Sequence, residues 1–372
     1  MQHVYLVPGF FGFANLGDFH YFGHLRDLLE DKLRVAGIES QIERVHTHPT
    51  SSIRKRARRL LETIAATAGK GDAPIHLIGH STGGLDARLL AAPHVDLGEG
   101  IDAEPIARRI RSVVTVASPH RGAPLAAFFA SMLGQRLLQL LTLATVYGLR
   151  FGHPPLSFLL KLAAVLTRID DVTGWRNTLV DQLFDQLLGE FTEDRRQEVE
   201  GFLSEVSNDQ ALLMQLTPDA MDLFNAGVTN RAGVRYGAVV TRSPSPAVLK
   251  RLAFGLDPYA QASYGLYEVI HRRTRTMARR AVDLPSGTAR AAMQQALGEV
   301  PTESDSDGIV PTLSQPWGEL IAAVEADHLD IIGHFGDPRH APAHVDWLCS
   351  GSAFDRWRFE QVWRQVVEFM VR

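Results

Sequence analysis

A length of 372 residues allows two or three small domains, or one large α/β domain carrying insertions. A composition of 45% hydrophobic and 22% charged residues excludes a disordered or fibrous chain, and the single cysteine, Cys349, excludes an intrachain disulfide and a cysteine-ligated zinc. With 38 Lys and Arg against 42 Asp and Glu, the formal charge is −4, too near neutral for the molecule as a whole to hold nucleic acid electrostatically.

HVYLV (3–7) reads as an apolar strand that ends at Pro8-Gly9. As the sequence is written, no basic leader, apolar core and small-residue cleavage site precede it. A cytoplasmic protein is therefore the expectation, with a mature-form numbering or another export route left open. Residues 21–36 carry leucines and charges at helical spacing and stop at Gly37. IESQIERV (38–45) alternates as a half-buried strand does. Residues 51–69 form an amphipathic helix with serines at its start and a glycine at its end. IHLIG (75–79), GGLDARLLAA (83–92) and RSVVTVAS (111–118) follow as strand, helix and strand. Such alternation predicts a mostly parallel sheet with helices on both faces.

The period then changes. Residues 123–230 read as helical almost throughout, and VRYGAVVT (234–241) returns to strand. The spacing predicts a core made of 1–122 and 231–372, interrupted by a helical cap or lid over 123–230. Its most apolar part, 123–167, is cut by Arg136, Arg150 and Lys161 into runs shorter than the roughly 18 residues a membrane span requires, so no transmembrane helix is expected. Residues 242–300 are helical with breaks, 299–311 are loop-rich, 319–335 run from strand through loop to helix, and 358–370 close the chain as an amphipathic helix.

Chemistry concentrates in three places. Gly79-His80-Ser81-Thr82-Gly83 stands between an apolar strand and a helix, the context of a nucleophile elbow, where small flanking residues let a tight turn lift the serine hydroxyl to a helix N-terminus. His80 reads as a residue that packs or hydrogen-bonds beside this turn and takes no part in proton transfer. A nucleophilic serine needs a base, and the base needs a carboxylate. The acidic loop SDSDGIVP, with Asp305 and Asp307, is followed by ADHLDIIGHF, with His328, in the chain order Ser, Asp, His. Either segment alone would read as a solvated turn or a capping histidine. The third place is an oxyanion hole, with one backbone N–H from Thr82 and another from Phe10 in the turn after the first strand.

Taken together, VPGFFG, GHSTGGLDAR, ASPHRGAP, SDSDGIVP and DHLDIIG resemble the bacterial true lipases of the α/β-hydrolase superfamily. The resemblance implies an α/β-hydrolase fold. It selects Asp307, which precedes a glycine in a D-G-I-V stretch, over Asp305, and His328, which opens an H-L-D stretch. The catalytic residues implied are Ser81, Asp307 and His328, with Phe10 and Thr82 as oxyanion donors. The family usually has histidine before the glycine of the oxyanion turn, where this chain has Pro8. Members commonly hold one structural calcium through an aspartate ahead of the acid loop and the aspartate of H-L-D. Asp330 matches the second and Asp283 is the candidate for the first. His334 stands where a further oxygen ligand belongs, so no metal or other cofactor is expected, with calcium left open.

The activity implied is hydrolysis of lipid-like acyl esters through an acyl-enzyme, at a lipid interface if 123–167 acts as a lid. An acyltransferase or thioesterase on the same triad, or a non-catalytic lipid-binding protein on the same fold, are the alternatives. The basic runs Arg54–Arg59 and Arg272–Arg280 read as solvated helix faces.

Overall fold

The computed structural model describes residues 1–10, 21–69, 71–129, 143, 155–167, 209–247, 257–277, 287–337, 339, 346 and 348–372, with scattered positions over 182–204 and 252–255. Its first half alternates β1 (Gln2–Val7), α1 (Gly23–Val35), β2 (Ser40–Arg44), α2 (Ile53–Thr67), β3 (Ile75–His80), α3 (Gly83–Ala91), a single turn α4 (Glu104–Ala107) and β4 (Ile110–Val116). With β5 (Arg235–Arg242) and β6 (Glu319–Glu325) these strands form one sheet in the order β2-β1-β3-β4-β5-β6, every neighbouring pair parallel.

Strand side chains feed two cores in alternation. Val4 and Leu6 of β1 join Leu25, Leu29 and Leu33 of α1 on one face; Tyr5 and Val7 join Leu60, Leu61 and Ile64 of α2 on the other. A sheet buried on both faces needs continuous apolar strands, which is why HVYLV and IHLIG lack the polar alternation of a half-exposed strand. The mostly parallel sheet with helices on both faces is present.

Between β4 and β5 the described residues include α5 (Leu125–Phe129), α6 (Leu156–Thr167), α7 (Ala211–Gln215) and α8 (Pro218–Gly227). A second helical stretch, α9 (Pro258–Met277) and α10 (Gly287–Leu297), lies between β5 and β6, and α11 (Arg356–Val371) closes the chain. Asp355 caps α11 by accepting the Arg358 N–H at 2.9 Å, and Trp363 of that helix donates its indole N–H to the Ile331 carbonyl at 2.9 Å. Among the described residues, no helix is long and apolar enough to cross a membrane. β6 forms one margin of the sheet. Its end residues are paired, Glu319 with Arg372 at 3.0 Å and Glu325 with Arg242 at 3.1 Å.

Two features differ from the sequence reading. The helix expected after β6 is a single 3-10 turn, Asp330–Ile332, closed by Gly333 at φ 107°. The basic run of α2 is also not uniformly solvated. Arg54, Lys55 and Arg59 are exposed, but Arg56 falls on the buried stripe with Ile53, Ala57 and Leu60. Its guanidinium is fully buried against the equally buried Asp86 of α3 at 2.8 Å. It also donates to the carbonyls of Pro8 at 2.7 Å, His48 at 2.9 Å and Pro49 at 3.2 Å. One side chain thereby ties the turns after β1 and β2 to the helix that follows β3.

Removing one partner of a buried pair strands the other's charge. Arg56→Met is expected to cost about 3–5 kcal/mol of unfolding free energy, measured by urea denaturation, whereas Arg59→Met on the exposed face leaves the midpoint nearly unchanged.

Candidate active site

Ser81 lies at the junction of β3 and α3 with φ 54°, one of few non-glycine residues here in the left-handed region. Its N–H donates to the Val116 carbonyl at 2.8 Å, and Thr82 stands at the cap of α3. The glycines of the motif are required by close approach. A Cβ on Gly79 would fall 2.4 Å from the Gly83 backbone, and one on Gly83 would fall 2.2 Å from the Val7 carbonyl oxygen. The turn after β1 is equally tight, because a Cβ on Gly9 would meet the Ser81 Cβ at 2.4 Å.

Asp307 and His328 are brought together. His328 Nδ1 lies 2.8 Å from Asp307 Oδ2, and the His328 backbone N–H donates to the Asp307 carbonyl at 3.0 Å. Both side chains are buried. A carboxylate in that position accepts from Nδ1–H and leaves Nε2 free of that proton. Asp307 Oδ1 accepts the N–H groups of Ile309 at 3.0 Å and Val310 at 2.8 Å. Asp305, the alternative carboxylate, accepts instead from the Thr302 N–H at 2.7 Å and the Thr302 hydroxyl at 3.0 Å. The imidazole of His328 lies 4.7 Å, centroid to centroid, from the ring of His80, the residue before Ser81. As expected, His80 is buried and hydrogen-bonded beside the elbow.

The acid does not hang from the end of a late strand. Among the described residues no strand lies between β5 and β6, and SDSDGIVP is too rich in glycine, proline and acid to extend as one. The loop is clamped sideways onto the end of β5. Ser243 N–H donates to the Ser306 carbonyl at 2.9 Å, and the Thr241 hydroxyl donates to Asp307 Oδ2 at 2.9 Å. Gln315 accepts the Thr241 N–H at 2.7 Å and returns its amide N–H groups towards the Thr241 carbonyl at 3.1 Å and Asp307 Oδ2 at 3.3 Å. Neither Thr241 nor Gln315 carries a spacing signal that reading the sequence could have used.

Ser81, Thr82 and Phe10 line one apolar cleft. Leu125, Ala126 and Phe129 of α5 and Leu213 and Leu216 from around α7 line it on one side, and Ile270, Ile309 and Val310 on the other. A lining of this apolar character suits an apolar ligand segment.

Asp330, Asp327 and Asp346 each place a carboxylate oxygen within 4.8 Å of the others. Asp327 and Asp330 are buried, and Asp327 Oδ2 has no hydrogen-bond partner. Burial raises all three carboxyls, Asp327 to about 6 and Asp346 to about 8; the Asp327 charge adds to the rise at Asp330 and Asp346. His334 is turned away, its Nε2 donating to the Tyr21 carbonyl at 3.1 Å. Asp283 lies outside the described residues. Among the described residues, the carboxylates grouped with Asp330 are those of Asp327 and Asp346. An orphaned buried oxygen among three carboxylates fits a hard divalent cation.

Several solved structures share this fold at low sequence identity. EstA from Clostridium botulinum aligns with a TM-score of 0.54 at 19% identity, over 99% of this chain and 87% of that one. Lipase 1 from Pelosinus fermentans aligns at 0.51 and 16%, over 99% and 98%. The Staphylococcus hyicus lipase aligns at 0.51 and 14%, over 100% and 95%. Comparison with known protein families and with curated proteins returns no match. The chain has a lipase-like α/β-hydrolase fold.

Gln315 is buried and bonded on both amide atoms, so Gln315→Met should cost about 1–3 kcal/mol by leaving the Thr241 N–H unsatisfied. Chemical denaturation of the variant beside wild type measures it.

Proposed function

We propose that the protein is a serine carboxylic-ester hydrolase acting on lipid-like acyl esters. The observation that carries this reading is the Asp307–His328 pair at 2.8 Å beside an elbow serine that opens on an apolar cleft. Fold neighbours that are lipases, from Pelosinus fermentans and Staphylococcus hyicus, support it.

In this reading Ser81 Oγ attacks the ester carbonyl while His328 Nε2 takes its proton. Asp307 accepts from Nδ1–H and stabilises the imidazolium. The backbone N–H groups of Phe10 and Thr82 receive the oxyanion. His328 returns the proton to the departing alcohol, and water, activated by the same histidine, releases the acid from Ser81. The cleft between α5, α7 and α9 takes the acyl chain.

The insertion supplies the lid of this reading. α6 buries Phe158, Leu159 and Leu162 but exposes Leu156 and Leu160, the latter at 55%. Helices that only cover a core need one apolar stripe, and this one has leucines outside it.

Asp327, Asp330 and Asp346 would hold a divalent cation such as calcium, which supplies charge neutralisation to buried carboxylates. Because Asp327 and Asp330 bracket His328 in sequence, these residues would anchor the loop that carries the base.

A fluorophosphonate probe is expected to label wild type at Ser81 and to leave Ser81→Ala unlabelled. Esterase turnover should fall by about 10⁴-fold or more in Ser81→Ala and in Asp307→Asn, while Asp305→Asn stays near wild type. Labelling elsewhere, or equal losses in the two aspartate variants, would overturn the assignment. Leu160→Asp should lower hydrolysis of long-chain nitrophenyl esters by about tenfold, the value of about 1–2 kcal/mol of apolar contact. Short-chain esters and the melting temperature should be spared; uniform loss across chain lengths would make α6 core. Calcium at a hundredfold over its Kd should add about 2.7 kcal/mol to unfolding free energy, an increment absent in Asp346→Asn. Calorimetry with and without chelator decides.

A further inference from the structure

The proposed reaction draws its parts from four places remote in the chain: the turn after β1, the elbow after β3, the acid loop before β6 and the loop after β6. His328 is bonded to Asp307 through both its ring and its N–H, but those bonds register it to the acid loop, not to the serine. A misplacement of about 1 Å between base and nucleophile can cost about 10²-fold in rate. Something must hold the histidine loop to the elbow.

Tyr21, the residue two places before α1, and His80 form that tie. His80 Nε2 lies 2.8 Å from the His328 carbonyl oxygen, and His80 Nδ1 lies 2.6 Å from the Tyr21 hydroxyl. A carbonyl can only accept, so Nε2 carries the proton, Nδ1 is an acceptor, and the Tyr21 O–H donates to it. The chain of bonds runs one way: Tyr21 to His80, His80 to the His328 carbonyl. Tyr21 and His80 are both buried, and burial with the neighbouring His328 keeps His80 neutral, the only state with an acceptor nitrogen.

We propose that Tyr21 is a positioning residue that acts through His80 to hold the main chain of His328 in register with Ser81. The proposal rests on the hydrolase reading above. Neither side chain touches substrate. Loss of the phenol hydroxyl leaves His80 Nδ1 unpaired and free to exchange its tautomer, which releases the His328 carbonyl.

The test compares Tyr21→Phe, His80→Gln and His80→Leu, with rates expressed per serine titrated by fluorophosphonate so that unfolded protein is not counted. Tyr21→Phe is expected to lower kcat by about 10–100-fold with KM within about threefold, because alignment and not ground-state binding is lost. His80→Gln, which can donate to the His328 carbonyl and accept from Tyr21, should keep at least about tenfold more kcat than His80→Leu. Tyr21→Phe with wild-type kcat, or glutamine no better than leucine, overturns the proposal. Nitrogen-15 NMR of wild type supplies a readout independent of folding in the variants: His80 should be the neutral Nε2–H tautomer, and an Nδ1–H tautomer overturns the network. If wild type itself fails to label at Ser81, the hydrolase reading fails, and the tautomer alone decides the tie.

Discussion

Backbone crowding around Ser81 is the constraint on which the rest depends. The turn after β1, the end of β3 and the first turn of α3 approach so closely that no methyl group fits between them. Gly84 makes the same point on the far side, where a Cβ would fall 2.1 Å from the Ser118 hydroxyl. Such contact fixes the register of β1 against β3 and the angle at which α3 leaves the sheet. It also holds the serine in a backbone conformation that costs of order 1–3 kcal/mol and persists only where the surroundings over-determine it. The strain is local, and the means of holding it is spread over four segments of chain.

Polar groups do the holding where backbone contact ends. Arg56 of α2, paired with Asp86 of α3, reaches the Pro8 carbonyl, and Gln315 and Thr241 reach from a loop and a strand end to Asp307. Arg88, also on α3, lies 3.3 Å over the Trp317 ring and donates to His120 Nδ1 at 2.9 Å. Burial pulls its guanidinium down to about 9. Buried polar atoms are expensive to leave unpaired, so the bonds these side chains make specify how the segments they join are arranged. α3 is thus held by two buried arginines, Arg56 through Asp86 and its own Arg88.

What the sequence made legible follows from periodicity and local turn chemistry. The strands and the elbow could be read because each signal lies within a few residues, whereas the choice of Asp307 over Asp305 came from the resemblance of its D-G-I-V stretch. Arg56 could not be read as buried, because within one basic run it differs from its neighbours only by its angle on the helix. Gln315 and Thr241 meet across 74 positions, and Tyr21 and His80 across 59, distances over which no local rule operates. Asp346 joins Asp327 and Asp330 in the same way. Residues that sit in motifs are legible from the sequence, and the residues that bond to them across the chain are visible only in three dimensions.

The margin of the sheet at β6 has a consequence for the protein in company. A parallel strand on the outside of a sheet offers a row of hydrogen-bonding groups to any extended chain, and this one reads Leu-Ile-Ala-Ala-Val between its ends. Those ends are Glu319 and Glu325. A second copy approaching antiparallel and centred on Ala322 would crowd Glu319 and its Arg372 against Glu325 and its Arg242. Charged side chains already engaged at both ends of a short apolar strand work against fibre-like growth of sheet upon sheet.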